Sequence, residues 1–251
     1  TRLLGDDRFT RDLAAHMRLF VSGSAPLLAE THAQFEERTG HRILERYGMT
    51  ETNMNTSNPF EGDRRAGTVG FPLPGVELKI TDPAIGATLP QGEVGQIEVR
   101  GPNVFKGYWQ MPEKTAAELR EDGFFITGDL GKVDEDGYVH IVGRNKDLII
   151  SGGYNIYPKE IELVLDDQPG VLESAVIGVP HPDFGETVLG VVVAEPAQSP
   201  DLEAMMETVR QALARFKHPR QLILLDELPR NTMGKVQKNV LRDLYNDMFA
   251  S

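Results

Sequence analysis

Ile43-Leu44-Glu45-Arg46-Tyr47-Gly48-Met49-Thr50-Glu51 decides the fold. Ile43–Tyr47 reads as a strand that runs into a polar loop. Upstream, Met17–Val21 is another short apolar run, and Ser22-Gly23-Ser24-Ala25-Pro26 turns the chain after it. Between the two runs, Leu27–Arg38 has helical spacing, with Leu28, His32 and Phe35 on one face and Gly40 as the stop. Strand, helix and strand together predict an α/β layer. Such layers place ligands in the loop after a strand, where Thr50 and Glu51 stand.

The pattern changes after Asn58. Val76, Leu78 and Ile80 alternate with polar residues, as do Ile97 and Val99, and Gly and Pro punctuate the stretch. This predicts a β-rich region, an antiparallel sheet or partial barrel. Pro112–Glu121 reads as a short helix opened by proline. Asp134-Glu135-Asp136-Gly137 reads as a hairpin turn. Trp109, in Gly107-Tyr108-Trp109, is expected in the core.

Beyond Arg144 the pattern is βαββαβα, a compact α+β domain. Its strands are Leu148–Ile150, Ser174–Val179, Val188–Ala194 and Leu222–Leu225. Its helices run from Pro158 to about Asp166, over Leu202–Phe216 and over Val236–Met248. The expected organisation is therefore α/β over 1–60, β-rich over 61–145, and α+β over 146–251.

With 26 basic against 38 acidic residues, the formal charge is −12. That argues against a general nucleic-acid binder or a partner of anionic membranes. Cysteine is absent, so there is no disulfide scaffold and no cysteine zinc site. No apolar run is long enough to span a bilayer. A reducing cytoplasm is the expected compartment. The stretch at Thr1 does not read as a natural beginning, and the chain is expected to be the C-terminal part of a longer protein.

Several clusters can carry chemistry. In Tyr47-Gly48-Met49-Thr50-Glu51, the threonine hydroxyl can donate to a phosphate and the glutamate offers hard oxygens to Mg²⁺. The tyrosine face can stack a purine. The same stretch also fits a capped turn with a packed tyrosine. Asp129, after Thr127-Gly128, has two acceptor oxygens that match the cis-hydroxyls of a ribose, or it is an ordinary Gly-Asp turn. Arg144 can bond a ribose or phosphate with its fork, or form a surface ion pair. Ser151-Gly152-Gly153-Tyr154-Asn155 is a tight loop where two residues without Cβ let a thin ligand pass. Lys235 lies in Pro229-Arg230-Asn231-Thr232-Met233-Gly234-Lys235-Val236. It is not a P-loop lysine, because Val236 follows where Ser or Thr is required. The six histidines show no metal-ligand spacing. Basic residues concentrate late, at Arg210, Arg215, Lys217, Arg220, Arg230, Lys235, Lys238 and Arg242. They read as a solvated helix face or as a surface meeting the phosphates of a nucleotide or of coenzyme A.

In this order, with Gly143-Arg144-Asn145-Lys146-Asp147 between the last clusters, the set resembles the adenylate-forming superfamily of acyl-CoA synthetases, luciferases and adenylation domains. Within it, Tyr47–Met54 and Asn231–Lys238 look most like bacterial malonyl-CoA synthetases. The resemblance implies an ATP-dependent ligase that makes acyl-CoA through an acyl-adenylate, with malonate as the expected acid. Methylmalonate, a fatty or aryl acid, or a carrier-protein substrate are the alternatives. It implies that Ser24 and Tyr47 flank the adenine, Thr50 touches the α-phosphate and Glu51 the Mg²⁺, and Asp129 and Arg144 hold the ribose. It further implies that Lys146 is the hinge to a small mobile domain, that Gly152 and Gly153 line the path of the coenzyme A arm, and that Lys235 is the catalytic lysine. The family's glycine- and threonine-rich phosphate loop is missing here, and its place lies upstream of Thr1. This chain alone is therefore expected to be inactive.

Overall fold

The structure is a computed structural model that describes residues 3–23, 27–232 and 234–249. The chain forms two compact units, Thr1–Ile141 and Val142–Ser251. No described helix is long and apolar enough to cross a membrane.

The first unit opens with α1 (Arg11–Ala14), β1 (Val21–Ser22), α2 (Ala29–Thr39) and β2 (Leu44–Met49). β1 pairs parallel with β2, so the strand–helix–strand unit is present. β1 is shorter than the apolar run predicts, because Met17–Phe20 carries no ladder. α2 buries His32 and Phe35 and ends at Gly40 in the left-handed conformation, φ 75°. Phe35 packs with Phe9, Ala14 and Ile43 in a small core under the layer.

β3 (Asn53–Ser57) and β4 (Phe71–Pro72) extend this sheet in the order β1-β2-β3-β4. A separate sheet follows, with β5 (Glu77–Thr81), β6 (Gly95–Arg100), β7 (Phe125–Val133) and β8 (Val139–Arg144) in that order. It is an open four-stranded sheet, not a partial barrel. Ile80, Ile97, Val99 and Phe125 fill its core. Between β6 and β7, α3 (Pro112–Glu118) is shorter than predicted.

Trp109 corrects the sequence reading, because it is 87% exposed. Its neighbour Tyr108 takes the inward position. The Tyr108 ring packs edge-on against Phe105 at 4.8 Å, and its backbone N–H donates to Thr115 Oγ1 at 2.9 Å.

The second unit holds β9 (Ile149–Ser151), β10 (Tyr154–Ile156), α4 (Pro158–Asp166), β11 (Val171–His181), β12 (Gly185–Ala194), α5 (Leu202–Ala212), β13 (Gln221–Leu225) and α6 (Lys238–Leu244). β12 is central. It pairs antiparallel with β11 and parallel with β13. Period-2 alternation splits the apolar residues between the two faces. Val176, Val188 and Val192 meet Ile161 and Leu165 of α4 and Met205 and Val209 of α5. Ala175, Ile177, Leu189 and Val191 meet Leu241 of α6. α5 and α6 are both shorter than predicted, and α5 gives way to a 3₁₀ turn at Arg215–Lys217.

A buried pair sits inside the first unit. His32 of α2 and Glu45 of β2 are 2% and 6% exposed, with Nδ1 and Oε1 3.7 Å apart. Burial raises the Glu45 carboxyl to about 7, against the downward pull of backbone N–H groups from Gly67 and Leu27. Burial also holds the His32 imidazole below its usual value. The unfolded Glu45 ionises near 4.5. Between about 4.5 and 7 the folded state therefore holds the extra proton. Stability from Glu45 is full below that window and is lost as pH rises through 7. Glu45→Gln removes this loss. Its stability relative to the parent is expected to rise between pH 5 and pH 8, by on the order of 2–3 kcal/mol. Urea midpoints of both proteins at the two pH values check this, and a difference that does not change with pH would refute the assignment.

Candidate active site

The loop between β2 and β3 carries Thr50 and Glu51. It is tight because Thr52 N–H closes on Met49 C=O at 3.2 Å. The β2–β3 register shifts between Tyr47 and Gly48. A Cβ on Gly48 would fall 1.9 Å from the Asn53 carbonyl oxygen, so only glycine fits this bulge. Thr50 is exposed at the apex. Asn103 braces the start of β3, its Nδ2 donating to the carbonyls of Thr52 and Met54 at 2.7 and 3.3 Å.

Asp129 reaches the same place from a different sheet. Gln96 pairs with Leu130 and Glu98 with Ile126, so Thr127, Gly128 and Asp129 together oppose Ile97. This bulge re-aims the Asp129 side chain. Thr127 Oγ1 donates to Ile97 C=O at 2.8 Å and accepts from Asp129 N–H at 3.1 Å. Gln96 Nε2 donates to Asp129 C=O at 3.0 Å. The Tyr47 hydroxyl donates to Asp129 Oδ2 at 2.5 Å. Two residues 82 positions apart thus share a charge-assisted hydrogen bond, a kind that contributes roughly 1.5–3 kcal/mol when shielded. Asp129 is only 5% exposed. The Tyr47 ring packs partly on the core of the second sheet.

Glu51 is tied to the chain beyond β6. Its carbonyl accepts from Phe105 N–H at 2.8 Å. The Tyr108 hydroxyl lies 3.1 Å from Glu51 Oε1 and 2.6 Å from Glu118 Oε2. Burial first, then those two carboxylates, push this phenol well above its usual range. One hydroxyl carries one proton, so it serves one carboxylate at a time. Among the described residues no group of three or more His, Cys, Asp or Glu could hold a metal ion. The donor set instead fits a Mg²⁺ held by one carboxylate and completed by phosphate oxygens, which is that ion's habit.

In the second unit, Arg144 ends β8 and is exposed. Lys146 sits in the 3₁₀ turn Asn145–Asp147, also exposed. Gly152 and Gly153 form the two-residue turn of the β9–β10 hairpin, where Ser151 pairs with Tyr154. Both have positive φ, 55° and 84°, which the twist of a two-residue hairpin requires. The hairpin tip consequently bears no side chain. The sequence reading treats Tyr154 and Asn155 as loop, whereas they begin β10.

Lys235 lies on a loop closed at its base by the Arg230–Val236 bridge. Asn231 N–H donates to Lys235 C=O at 2.9 Å, and Lys235 N–H donates to Asn231 Oδ1 at 2.9 Å. Arg230 pairs with Glu173 and donates to Gly234 C=O at 2.7 Å. The lysine side chain is exposed. Of the other late basic residues, Lys217, Lys238 and Arg242 pair with Glu160, Glu162 and Asp147, and Arg210 with Glu207. Ser24, expected beside the adenine, lies outside the described residues.

The family model of AMP-binding enzymes matches residues 2–109, and that of the AMP-binding enzyme C-terminal domain matches residues 160–235. The chain belongs to the adenylate-forming, AMP-binding enzyme family. It is 45% identical over 240 residues to a malonate–CoA ligase of Arabidopsis thaliana, covering 91% of this chain and 39% of that protein. It is 39% identical over 242 residues to a long-chain-fatty-acid–CoA ligase of Yersinia pestis, covering 96% and 42%. The crystal structure of ATP-bound MatB from Rhodopseudomonas palustris superposes with a TM-score of 0.95 at 62% identity, over 99% of this chain and 49% of that one. The chain thus spans about half or less of the length of the relatives it matches.

The sequence of this AMP-binding chain assigns no site role to Tyr108, Gln96 or Asn103. Their neighbourhood held one signal, Gly107-Tyr108-Trp109, but attention falls there on the larger tryptophan. Gln96 and Asn103 act through backbone atoms of partners far away in sequence, and no local pattern marks them.

Proposed function

We propose that the protein of which this chain is part is an ATP-dependent carboxylic acid–CoA ligase, with malonate as its acid. The observation that carries the reading is the Tyr47–Asp129 bond, which joins two of the family's motif residues in one polar corner. Support for malonate comes from the Arabidopsis relative, a malonate–CoA ligase 45% identical to this chain.

A carboxylate oxygen attacks the α-phosphorus of ATP, the bond to pyrophosphate breaks, and acyl-adenylate remains. Two anions must meet, so neutralising charge is the main task. Thr50 donates to an α-phosphate oxygen. Asp129 and Arg144 hold the ribose, and Tyr47 offers its ring to the adenine while its hydroxyl steadies Asp129. Lys235 bridges the acid's carboxylate and the nucleotide. Glu51 would hold a Mg²⁺ that neutralises phosphate charge. The second unit then turns about Lys146, withdraws Lys235 and presents the Gly152–Gly153 hairpin. The CoA thiol, losing its proton, attacks the acyl carbon and releases AMP. One site thereby serves two reactions in turn.

The test is pyrophosphate release by the full-length protein over mono- and dicarboxylic acids, with free CoA and with a carrier protein as thiol. Malonate is expected to give the highest kcat/KM, with malonyl-CoA as product. Turnover with fatty acids only would overturn the substrate, and thioester on the carrier only would overturn the acceptor.

A further inference from the structure

Helix α6 is pinned at both ends by buried or half-buried ion pairs. Near its start, Lys238 Nζ lies 2.5 Å from Glu162 Oε1, an atom that also accepts from Val176 N–H at 2.9 Å. Toward its end, Arg242 pairs with Asp147, and the same guanidinium nitrogen lies 3.4 Å from the Lys146 carbonyl oxygen. Asp147 and Arg242 retain only 16% and 28% of their side-chain exposure. Between the pins, Leu241 is buried to 1% on the sheet. The helix follows directly on the Lys235 loop, where Gln237 N–H donates to Pro229 C=O at 2.8 Å. The turn that carries Lys146 and the loop that carries Lys235 therefore sit at opposite ends of one helix, roughly 10 Å long at 1.5 Å per residue.

We propose that Arg242 is a positioning residue that fixes the Lys146–Asp147 turn to α6, so that rotation about Lys146 carries Lys235 as part of one rigid body. This rests on the ligase reading and on Lys146 as the pivot. Within α6 the apolar contact with the sheet is made by Leu241. The guanidinium instead reaches a peptide carbonyl at the pivot itself, where a packing residue has no reason to bond. The two halves of the reaction depend on this link unequally. The Gly152–Gly153 hairpin follows the pivot through β9 and is carried by the sheet. Lys235 is 89 residues further along the chain (positions 146 and 235), and its loop meets the pivot directly through α6, while Arg230 ties the loop's base to Glu173 of β11. Without the link, the lysine arrives less often in register, and displacements near an ångström at a reacting centre are costly.

The experiment uses the full-length protein and two separate assays: acyl-adenylate formation from acid and ATP, and thioester formation from supplied acyl-adenylate and CoA. Arg242→Met keeps the stem and removes the fork. It is expected to slow adenylation about tenfold, leave thioester formation within about twofold, and leave KM for ATP unchanged. Asp147→Asn approaches the same bond from its other side and should reproduce the split if Arg242→Met folds poorly. The double variant should be no worse than either single one. Arg242→Lys, which restores the charge but not the fork, should recover part of the rate. Equal loss in both assays with a lowered melting temperature would make Arg242 structural only and overturn the proposal. So would full adenylation activity in both single variants. Lys235→Ala, run alongside, separates the two ideas. If it spares adenylation, the ligase reading fails. If it blocks adenylation while Arg242→Met does nothing, only the coupling fails.

Discussion

Lys235→Ala in the full-length protein is expected to slow acyl-adenylate formation by roughly 10²–10³-fold, the usual loss of about 3–4 kcal/mol when one well-placed donor is removed from a developing charge. Thioester formation from supplied acyl-adenylate should stay within about twofold. The asymmetry follows from the proposed roles: the ammonium group would serve while a carboxylate meets a triphosphate, and would be withdrawn when a neutral thioester forms. The substitution should leave the fold alone. The bonds that shape the loop use the Lys235 backbone, whose N–H donates to Asn231 Oδ1 and whose C=O accepts from Asn231 N–H, and alanine keeps both. The side chain is exposed, so truncation should shift stability by no more than about 0.5 kcal/mol. Separate assays of the two half-reactions, with a melting curve as control, test this. Equal slowing of both halves would remove Lys235 from its assigned place.

The fold is legible wherever apolar residues repeat with the period of their element. Val176, Val188 and Val192 against Ala175, Ile177, Leu189 and Val191 already separate the two faces of β11 and β12. Pro158 and Gly40 mark a helix start and a helix stop because their backbone preferences are local. Ends are harder. Leu202–Phe216 keeps helical spacing through Phe216, but Leu213 turns extended and closes α5 at Ala212. Trp109 shows the limit of composition: a large aromatic residue reads as core, yet Tyr108 beside it takes the inward place. In the candidate site, Tyr47 and Asp129 are visible one at a time as turn residues. Their meeting depends on two bulges in different sheets, and bulges are set by long-range register that no short window contains. Glu98 is the sharpest case. It alternates with Ile97 and Val99, so a period of two assigns it to water, but it is fully buried.

That burial sets up the second large effect. Glu98 Oε1 accepts from Thr81 Oγ1 at 2.8 Å and from Arg120 Nη2 at 2.6 Å, and Oε2 accepts from Arg120 Nε at 2.9 Å, with Lys79 Nζ 3.3 Å away. Burial pushes this carboxyl up, but the Arg120 fork, Thr81 and Lys79 together outweigh it and hold it below its ordinary 4.5. The two ends of the pair are not equivalent. Arg120 retains 38% exposure and can turn to water, whereas Glu98 cannot. Arg120→Ala should therefore be the damaging change, because it strands a buried carboxylate. The expected loss is about 3 kcal/mol, the low end of the range for breaking such a pair, since Lys79 remains. Adding Glu98→Leu to Arg120→Ala should recover most of it, because no buried charge is left to compensate. The pH dependence should also change sign. In the parent, stability from Glu98 is present above 4.5 and is lost as pH falls through the lower folded value. In Arg120→Ala, burial dominates, the folded carboxyl rises above 4.5, and stability from this group falls as pH climbs from about 4.5 toward neutrality. Hydrogen exchange at β6 and β7 amides, with urea midpoints at pH 4.5 and 7.5, reads both effects. If the double variant proves as unstable as Arg120→Ala, the loss comes from packing around the arginine stem, and the stranded charge is not its cause.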